Sequence, residues 1–363
     1  MNKELKYWLG FSQLEGVGSA SLSDIYNHFH SMEAAWIASV LDWQEIKQLR
    51  NSTICAFKDK QKTINLDKLE EEFLSKNIDL ITIADEKYPE PLKNIIDPPG
   101  ILYYKGDFLN KDFDKILAVV GSRKCSSGAI ENTKYIIKGL KNTGAIIISG
   151  GAYGIDTASH VGALEAGLET IVVLGGGFDN LYPKQNIPLF KKILENNGVL
   201  LSEYYPATLP DVYRFPKRNR IISGLAKGTL VVEASLKSGA LITAKLCLEQ
   251  GKELMCMPGM VSNPNTQGTH KLLKEGASLV TCSEDIINYL NWESPQISEI
   301  STDTEELSEQ EKLIFDTISL EAMNVETIAA KTGININDLM IILTMLELKG
   351  IIKQLPGEVY MKV

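Results

Sequence analysis

The chain has 363 residues, of which 44% are hydrophobic and 23% are charged, and its formal net charge is −9. This composition is typical of a folded protein and excludes a chain that is disordered throughout. The length allows one full-sized domain with one or two smaller domains. The acidic balance excludes a protein coated with positive charge, so a nucleic-acid site has to be a local basic patch.

Membrane attachment and metal binding are not expected. No apolar run approaches the roughly 18 residues of a membrane-spanning helix, and the first residues do not resemble a signal peptide. The cysteines are an odd number and form no C-x-x-C pair, so we expect buried free thiols. They are Cys55, Cys125, Cys247, Cys256 and Cys282. The sequence therefore predicts a cytoplasmic protein with no metal and no cofactor.

Residues 1–97 are predicted to form a helical domain and its connection. Apolar spacing predicts helices over residues 5–14, 21–29 and 32–40. A Gly-Val-Gly turn at residues 16–18 gives the helix-hairpin-helix pattern, whose backbone amides can bind phosphate. Ordinary helical packing explains the same pattern equally well, because glycines are common in turns. Prolines and glycine at residues 97–100 end this section.

Residues 98–293 are predicted to form a Rossmann-like α/β domain, an extended, doubly wound and mostly parallel sheet. Short β-branched runs ending near glycine alternate with segments of helical length, which is typical of parallel strands buried on both faces. The predicted strands are residues 116–120, 145–148, 170–174, 199–201, 229–232, 253–257 and 278–281.

The end of the chain is predicted to be a linker followed by a winged-helix domain. Residues 294–307 are rich in Ser, Thr and Glu, as linkers are. Residues 308–363 contain three predicted helices and a two-stranded wing, the winged helix-turn-helix pattern. The candidate recognition helix, residues 336–349, has one cation at its far end. Because base reading needs several exposed polar or basic side chains, we favour protein interaction for this domain.

Glycines and cations follow the predicted strands at the edge where Rossmann-like folds bind ligands. Glycine lets the backbone approach an anion, and the following helices turn free N–H groups toward it. The first, second and third strands are followed by the motifs GSRK, SGGAYGID and GGG, and the fifth by EASLKSG. A row of such loops suits a polymer with repeated phosphates better than one nucleotide.

A basic segment between the fourth and fifth strands is more specific. Residues 214–220 contain Arg214, Lys217, Arg218 and Arg220 but no acid. Tyr213 and Phe215 are interleaved with these cations, and aromatic rings can stack on unpaired bases. A solvated basic loop or a set of ion pairs is the alternative.

These motifs resemble the DNA processing protein A family, also called DprA or Smf. The resemblance is carried by residues 213–259, beginning YRFPKRNRIISG, with support from residues 86–106, 118–129 and 148–186 in the same order. It implies an extended Rossmann fold flanked by an N-terminal SAM-like helical domain and a C-terminal winged helix. The implied function is to bind and protect single-stranded DNA and to load the RecA recombinase onto it during natural transformation and recombination, as a homodimer.

The resemblance and the loop pattern together give the candidate DNA contacts. They are Gly121, Ser122, Arg123, Gly150, Gly151, Gly154, Ile155, Asp156, Lys184, Lys217, Arg218, Asn219, Arg220, Lys237, Ser238 and Gly239. The winged helix carries no motif that identifies its partner, and none marks the dimer or RecA contacts.

The principal alternative is a Rossmann-like nucleotide hydrolase or phosphoribohydrolase that uses the same loops. Asp156 and His160, four residues apart on a predicted helix, could act as an acid–base pair. A structural interpretation is favoured, in which Asp156 binds free N–H groups and His160 is a hydrogen-bonded core residue. Glu233 is expected to anchor Arg218 or Arg220. No Walker loop, dinucleotide fingerprint or metal cluster is present, so no catalysis is expected. A transcription regulator ranks last, because the recognition helix lacks base-reading side chains.

Overall fold

The computed structural model describes residues 4–14, 19–46, 49, 51–293, 308–318, 323–348, 352–355 and 359–362. The chain divides into two compact units, Met1–Pro295 and Gln296–Val363. The predicted Gly-Val-Gly turn at 16–18 and the predicted linker at 294–307 lie outside the described residues. No helix in the described part of the chain has the length and apolarity needed to cross a bilayer.

The first unit begins with helices packed around aromatic side chains. They are α1 Leu5–Ser12, α2 Ser19–Phe29, α3 Met32–Ile37, α4 Val40–Gln44, α5 Asn51–Gln61 and α6 Leu66–Leu74. Trp8, Phe11, Trp43 and Phe57 are buried in one cluster. The helical prediction for this section is confirmed, and α5 and α6 are additional.

A strand pair follows these helices, and its first strand lies inside the section predicted to be helical. Strand β1 (Asp79–Thr82) pairs antiparallel with β2 (Ile101–Lys105), and helix α7 (Glu90–Lys93) lies between them in sequence. Strand β2 also pairs antiparallel with a strand of the main sheet. The sheet therefore starts at Asp79, before the boundary that the sequence predicts at residue 98.

Residues 79–279, all of which are described, form one nine-stranded sheet in the order β1-β2-β6-β5-β4-β3-β7-β8-β9. Every pairing from β6 to β9 is parallel. The parallel strands are β3 Ile116–Val120, β4 Ile146–Ser149, β5 Thr170–Val173, β6 Val199–Ser202, β7 Gly228–Val231, β8 Glu253–Cys256 and β9 Ser278–Leu279. All seven predicted strands are present with small shifts at their ends.

Helices cover both faces of this sheet, so the doubly wound α/β prediction is confirmed. They are α8 Ser127–Gly139, α9 Ile155–Ala166, α10 Ile187–Glu195, α11 Arg214–Leu225, α12 Ala240–Glu249, α13 Gln267–Lys274 and α14 Ser283–Tyr289. Helices α11 and α12 bury apolar side chains on one face, and α8, α9 and α14 do so on the other. Burial of the strands on both faces explains their continuous apolar sequences.

The second unit has the predicted winged-helix elements. They are α15 Glu309–Thr317, α16 Val325–Thr332, α17 Ile336–Leu348 and a sheet of β10 Met323–Asn324, β11 Ile352–Leu355 and β12 Val359–Lys362. Leu339, Leu343 and Leu346 pack one face of α17 into the core. Ile341 and Met345 on the same helix are exposed.

The thiols differ in part from their prediction. All five cysteines are free, but only Cys247 and Cys256 are buried. Cys55 is exposed, and Cys125 and Cys282 are half-buried. Burial raises the pKa of the Cys256 thiol to about 12, which keeps it protonated.

Candidate nucleic-acid interface

The candidate site lies where the strand order reverses. Strand β3 lies between β4 and β7, and the later strands extend outward on either side. The loops after β3 and β7 therefore diverge and leave a crevice at the carboxyl ends of the strands. In this chain the crevice is a cleft of about 680 Å³.

Half of the predicted DNA-contacting residues line this cleft. They come from the loop after β3, the starts of α9 and α11, and the loop before α12, which are far apart in sequence. They are Gly121, Ser122, Arg123, Asp156, Arg218, Asn219, Ser238 and Gly239. A smaller adjoining pocket adds Gly150 and is also lined by Arg123 and Arg218.

Arg123 is exposed on the cleft wall beside two aromatic rings. Its guanidinium carbon lies 5.5 Å from the ring centroid of Phe215. Tyr182 lies beyond Phe215, with the two ring centroids 5.7 Å apart. A guanidinium held over an aromatic ring keeps its N–H groups directed outward, where a phosphate can accept from them. The wall therefore combines a cation with surfaces on which bases can stack.

Arg218 is a buried cation at the base of the cleft. Only 3% of the residue is exposed, and its Nη1 donates to the carbonyl oxygen of Gly150 at 2.8 Å and to that of Val173. Burial lowers its pKa to about 10, and the Asp156 carboxylate opposes this shift. Arg218 thus stays charged at neutral pH, and a cation removed from water attracts an anion strongly.

Asp156 and His160 have the predicted structural roles. The Oδ2 of Asp156 accepts from the Ala152 amide at 3.3 Å, and burial raises the pKa of this carboxyl. His160 is fully buried, and its Nδ1 lies 2.7 Å from Oγ1 of Thr170 in β5. Burial lowers the pKa of His160 to about 3. An enclosed imidazole of such low basicity is unsuited to general-base catalysis, which needs contact with a substrate and a pKa near the working pH.

Arg220 lies away from the cleft, so its predicted place beside Arg218 is wrong. Its Nη1 and Nη2 donate to the two carboxylate oxygens of Glu203 at 2.8 and 2.7 Å. Its Nε donates to the backbone oxygen of Asp97 at 2.8 Å and lies 3.1 Å from Oδ2 of that residue. Residues two positions apart on a helix point about 200° apart, so the two arginines cannot face one cleft.

Glu233 anchors neither arginine, contrary to the prediction. Its carboxylate accepts from the backbone amide of Ser126 at 3.1 Å and from the hydroxyl of Ser126 at 2.7 Å, where α8 begins. The amide of Ser122 donates to the Glu233 carbonyl, and that of Ile155 donates to the Ser122 carbonyl. The backbone amides of Ser122, Ser126 and Ile155 therefore donate to acceptors within the protein. For these three amides, the expectation of free N–H groups at the starts of α8 and α9 is wrong.

The glycines of the loop between β4 and α9 allow close packing around Arg218 and against the loop after β3. A Cβ at Gly150 would lie 2.3 Å from Nη2 of Arg218 and 2.7 Å from Oδ2 of Asp156. Gly154 has a φ of +76°, and a Cβ there would lie 2.3 Å from the Ser122 carbonyl oxygen. Gly151 and Ile155 are buried. These residues therefore pack against the side chains and loops that form the cleft, and Gly151 and Ile155 do not line it.

Three predicted lysines stand outside the cleft lining. Lys237 is exposed next to Ser238, and Lys217 is partly exposed on α11. Lys184 is exposed in the 3-10 turn Lys184–Asn186. This turn directly follows Pro183, which lines the smaller pocket.

Two further side chains of the cleft, Asn265 and Tyr182, are not among the predicted contacts. Asn265 lies in the turn after β8, and its Nδ2 donates to the Lys124 carbonyl oxygen at 3.0 Å. Tyr182 lines both the cleft and the smaller pocket. Asn265 follows the sixth predicted strand, at the same edge of the sheet as the other loops. Tyr182 lies in the connection between β5 and α10, eight residues beyond the third predicted strand, and its contact with Phe215 places it at the cleft.

Comparison with known proteins decides the family. Residues 79–291 match the family model described as DNA recombination-mediator protein A. The chain belongs to the DprA/Smf family. Residues 300–358 match the DprA winged helix domain, in agreement with the fold of the second unit.

The relatives match along most of the chain. DNA processing protein DprA of Streptococcus pneumoniae is 43% identical over 206 residues, which are 57% of this chain and 72% of that protein. Protein Smf of Escherichia coli is 38% identical over 287 residues, covering 77% of this chain and 76% of that protein.

Two solved structures of family members are similar in fold. The crystal structure of S. pneumoniae DprA has a TM-score of 0.70 and 35% identity, and it covers 80% of this chain and 98% of that one. A structure of Helicobacter pylori DNA processing protein A, described for its single-stranded DNA binding mode, has a TM-score of 0.54 and 29% identity. That match covers 60% of this chain and 97% of the other.

Proposed function

We propose that this protein binds the backbone of single-stranded DNA in the cleft between the loops after β3 and β7, without a chemical step of its own. The convergence of Arg123 and Arg218 on one cleft carries the proposal. Two guanidinium groups from residues 95 positions apart in sequence, Arg123 in the loop after β3 and Arg218 in α11, provide charge and directed donors for phosphate oxygens. The binding mode described for the H. pylori relative supports the same ligand class.

The aromatic side chains at the cleft favour a single strand over a duplex. Tyr182 is 46% exposed and lies beside Phe215, and Tyr213 is 63% exposed one residue before α11. Such rings can stack on a base only when that base has left its own stack, as in single-stranded DNA. A contact of this kind tolerates every base, because each base has a flat face.

Salt-dependent binding titrations test this function. Fluorescence anisotropy would compare a labelled oligothymidine with a hairpin duplex of equal length, using wild type and Arg123→Glu. We expect wild type to prefer the single strand. The slope of a plot of log Kd against log salt concentration should be smaller by about 0.7 in the variant than in wild type. This is the value for one lost phosphate contact to a single strand.

The matched control for Arg123→Glu is Lys138→Glu. Lys138 is exposed near the end of α8, so the same charge change occurs at the opposite edge of the sheet. This control should bind as wild type does. Equal affinity for hairpin and single strand, or an unchanged slope in Arg123→Glu, would refute the proposal.

We further propose that the bound strand is handed to RecA and that the protein acts as a homodimer, during transformation and recombination. Family membership supports both steps. The test is RecA-catalysed strand exchange on DNA precovered with a single-strand-binding protein, with and without this protein, beside its mass in solution by light scattering. No stimulation of strand exchange, or a monomer at micromolar concentration, would refute the respective step.

A further inference from the structure

The segment that closes one side of the cleft leads directly into a basic helix. Tyr182 and Pro183 line the smaller pocket together with Arg123 and Arg218. The next three residues form the turn Lys184–Asn186, and α10 starts at Ile187. A strand that leaves the pocket past Tyr182 therefore meets the start of α10.

This turn is fixed to the cleft loop by side-chain hydrogen bonds. The Nδ2 of Asn186 donates to the Gly151 carbonyl oxygen at 2.9 Å and to Oγ1 of Thr157 at 2.8 Å. The Tyr153 hydroxyl donates to Oε1 of Gln185. The position of α10 relative to the cleft is thus set by the same loop that packs around Arg218.

Exposed cations lie on α10 and on the turn that precedes it. Lys184, Lys191 and Lys192 are exposed, and in the part of the chain that the structure describes none of them forms an ion pair. Lys191 and Lys192 are consecutive residues of α10, and Lys184 lies in the turn directly before this helix.

The acidic side chains nearest in sequence do not neutralise this surface. Asp179 is paired with Lys76 at 2.7 Å, and residues 184–194 contain no acid. Glu195 stands at the end of α10, and its carboxylate lies beyond 4 Å from the ammonium groups of Lys191 and Lys192, since neither lysine forms an ion pair among the described residues. On a chain of net charge −9, three unpaired cations beside a phosphate-binding cleft form a local attraction for a polyanion.

We propose that the surface formed by Lys191 and Lys192 is a second contact region for single-stranded DNA, which receives the strand as it leaves the cleft past Tyr182 and Lys184. This inference rests on the proposed function of the cleft. Tyr153 and Tyr182, 38% and 46% exposed, lie between the two regions and supply stacking surfaces there. Alternating rings and cations form the track that sequence-independent single-strand binders use.

Oligonucleotide length separates the two regions experimentally. An oligothymidine of about 5 nucleotides fills only the cleft, and one of about 20 nucleotides reaches α10, given site sizes of about 4–16 nucleotides per binding module. The variant Lys191→Glu with Lys192→Glu should leave the Kd of the short oligonucleotide within about twofold of wild type. For the long one we expect at least about fivefold weaker binding and a salt slope smaller by about 1.4, from two lost contacts.

The controls keep the outcomes distinct. Lys138→Glu with Lys141→Glu makes the same charge change at the end of α8 and in the turn after it, and it should affect neither oligonucleotide. The neutral pair Lys191→Gln and Lys192→Gln should give a weaker loss on the long one only. Equal weakening of both lengths, or no effect on the long one, would overturn the α10 track. Arg123→Glu must weaken both lengths, and its failure to do so counts against the cleft itself.

Discussion

The buried ion pair between Arg220 and Glu203 allows a test of whether Arg220 stabilises the fold or contacts DNA. The side chains of Arg220 and Glu203 are 7% and 2% exposed, and two hydrogen bonds of 2.7–2.8 Å join them. Replacing Arg220 by Met leaves the Glu203 carboxylate without its guanidinium partner. Removing one member of a buried pair costs about 3–5 kcal/mol, which is a large share of the roughly 5–15 kcal/mol that stabilises a typical domain.

Urea unfolding of the first unit, followed by far-UV circular dichroism, measures this change in the free energy of unfolding. We expect Arg220→Met to lower the unfolding free energy by about 3–5 kcal/mol. Glu203→Leu together with Arg220→Met should recover part of the loss, because an apolar pair no longer contains a buried uncompensated charge. The matched surface control is Lys227→Met, which removes a cation from an exposed ion pair and should cost about 0–1 kcal/mol.

DNA binding provides the second half of this test. Because Arg220 faces Glu203 and Asp97 and not the cleft, Arg220→Met should keep the wild-type salt slope even where its affinity falls. Arg123→Met should lose about 0.7 from that slope. If Arg220→Met were as stable as wild type and showed the smaller slope, Arg220 would contact phosphate and the assignment of its role would be wrong.

Three further predictions concern other parts of the chain. Gly154→Ala should destabilise the first unit by roughly 2–4 kcal/mol in urea titrations, because of its φ of +76° and the 2.3 Å approach to the Ser122 oxygen; a wild-type midpoint would contradict this. The pKa of His160 is about 3 when folded against an ordinary 6.5, so between these values the unfolded state binds the extra proton. The free energy of unfolding then falls as the pH drops, by up to about 1.4 kcal/mol per pH unit. The stability advantage of wild type over His160→Gln should therefore shrink from pH 6.5 to 4. Parallel plots of unfolding free energy against pH for the two proteins would refute this. Deletion of residues 294–363 should leave oligothymidine affinity within about threefold of wild type, and a larger loss by anisotropy would place part of the DNA site in the winged helix.

The central sheet was predictable because its strands are buried on both faces. A continuous apolar run such as Ile116–Val120, bounded by turn residues and alternating with segments of helical length, is typical of a parallel strand covered on both sides. Strand β1 was missed because only two of its four residues are buried and it lies at the edge of the sheet. Its short sequence shows neither a continuous apolar run nor a complete alternation, and its antiparallel partner is distant in sequence.

The start of α11 explains why Arg218 and Arg220 do not share the cleft. The basic segment between the fourth and fifth predicted strands belongs to a helix that begins at Arg214. Pro216 fits the first turn of this helix, where its missing N–H would have no partner. Once the segment is helical, Arg218 and Arg220 must point to opposite sides.

The edge of the cleft followed from topology, but the state of its backbone amides did not. Carboxyl ends of parallel strands meet at one edge, and this placed Gly121 to Arg123 beside Ser238 correctly. Whether an amide such as that of Ser122 is free depends on a carbonyl 111 residues away at Glu233. Such a contact depends on the packing of two loops, so no local sequence pattern reports it.

A crystal structure with bound oligothymidine would locate the DNA strand on the protein. We expect backbone phosphates in the cleft between the loops after β3 and β7, with oxygens within hydrogen-bonding distance of the guanidinium groups of Arg123 and Arg218. A strand bound on another surface, with this cleft empty at saturating oligonucleotide, would contradict it.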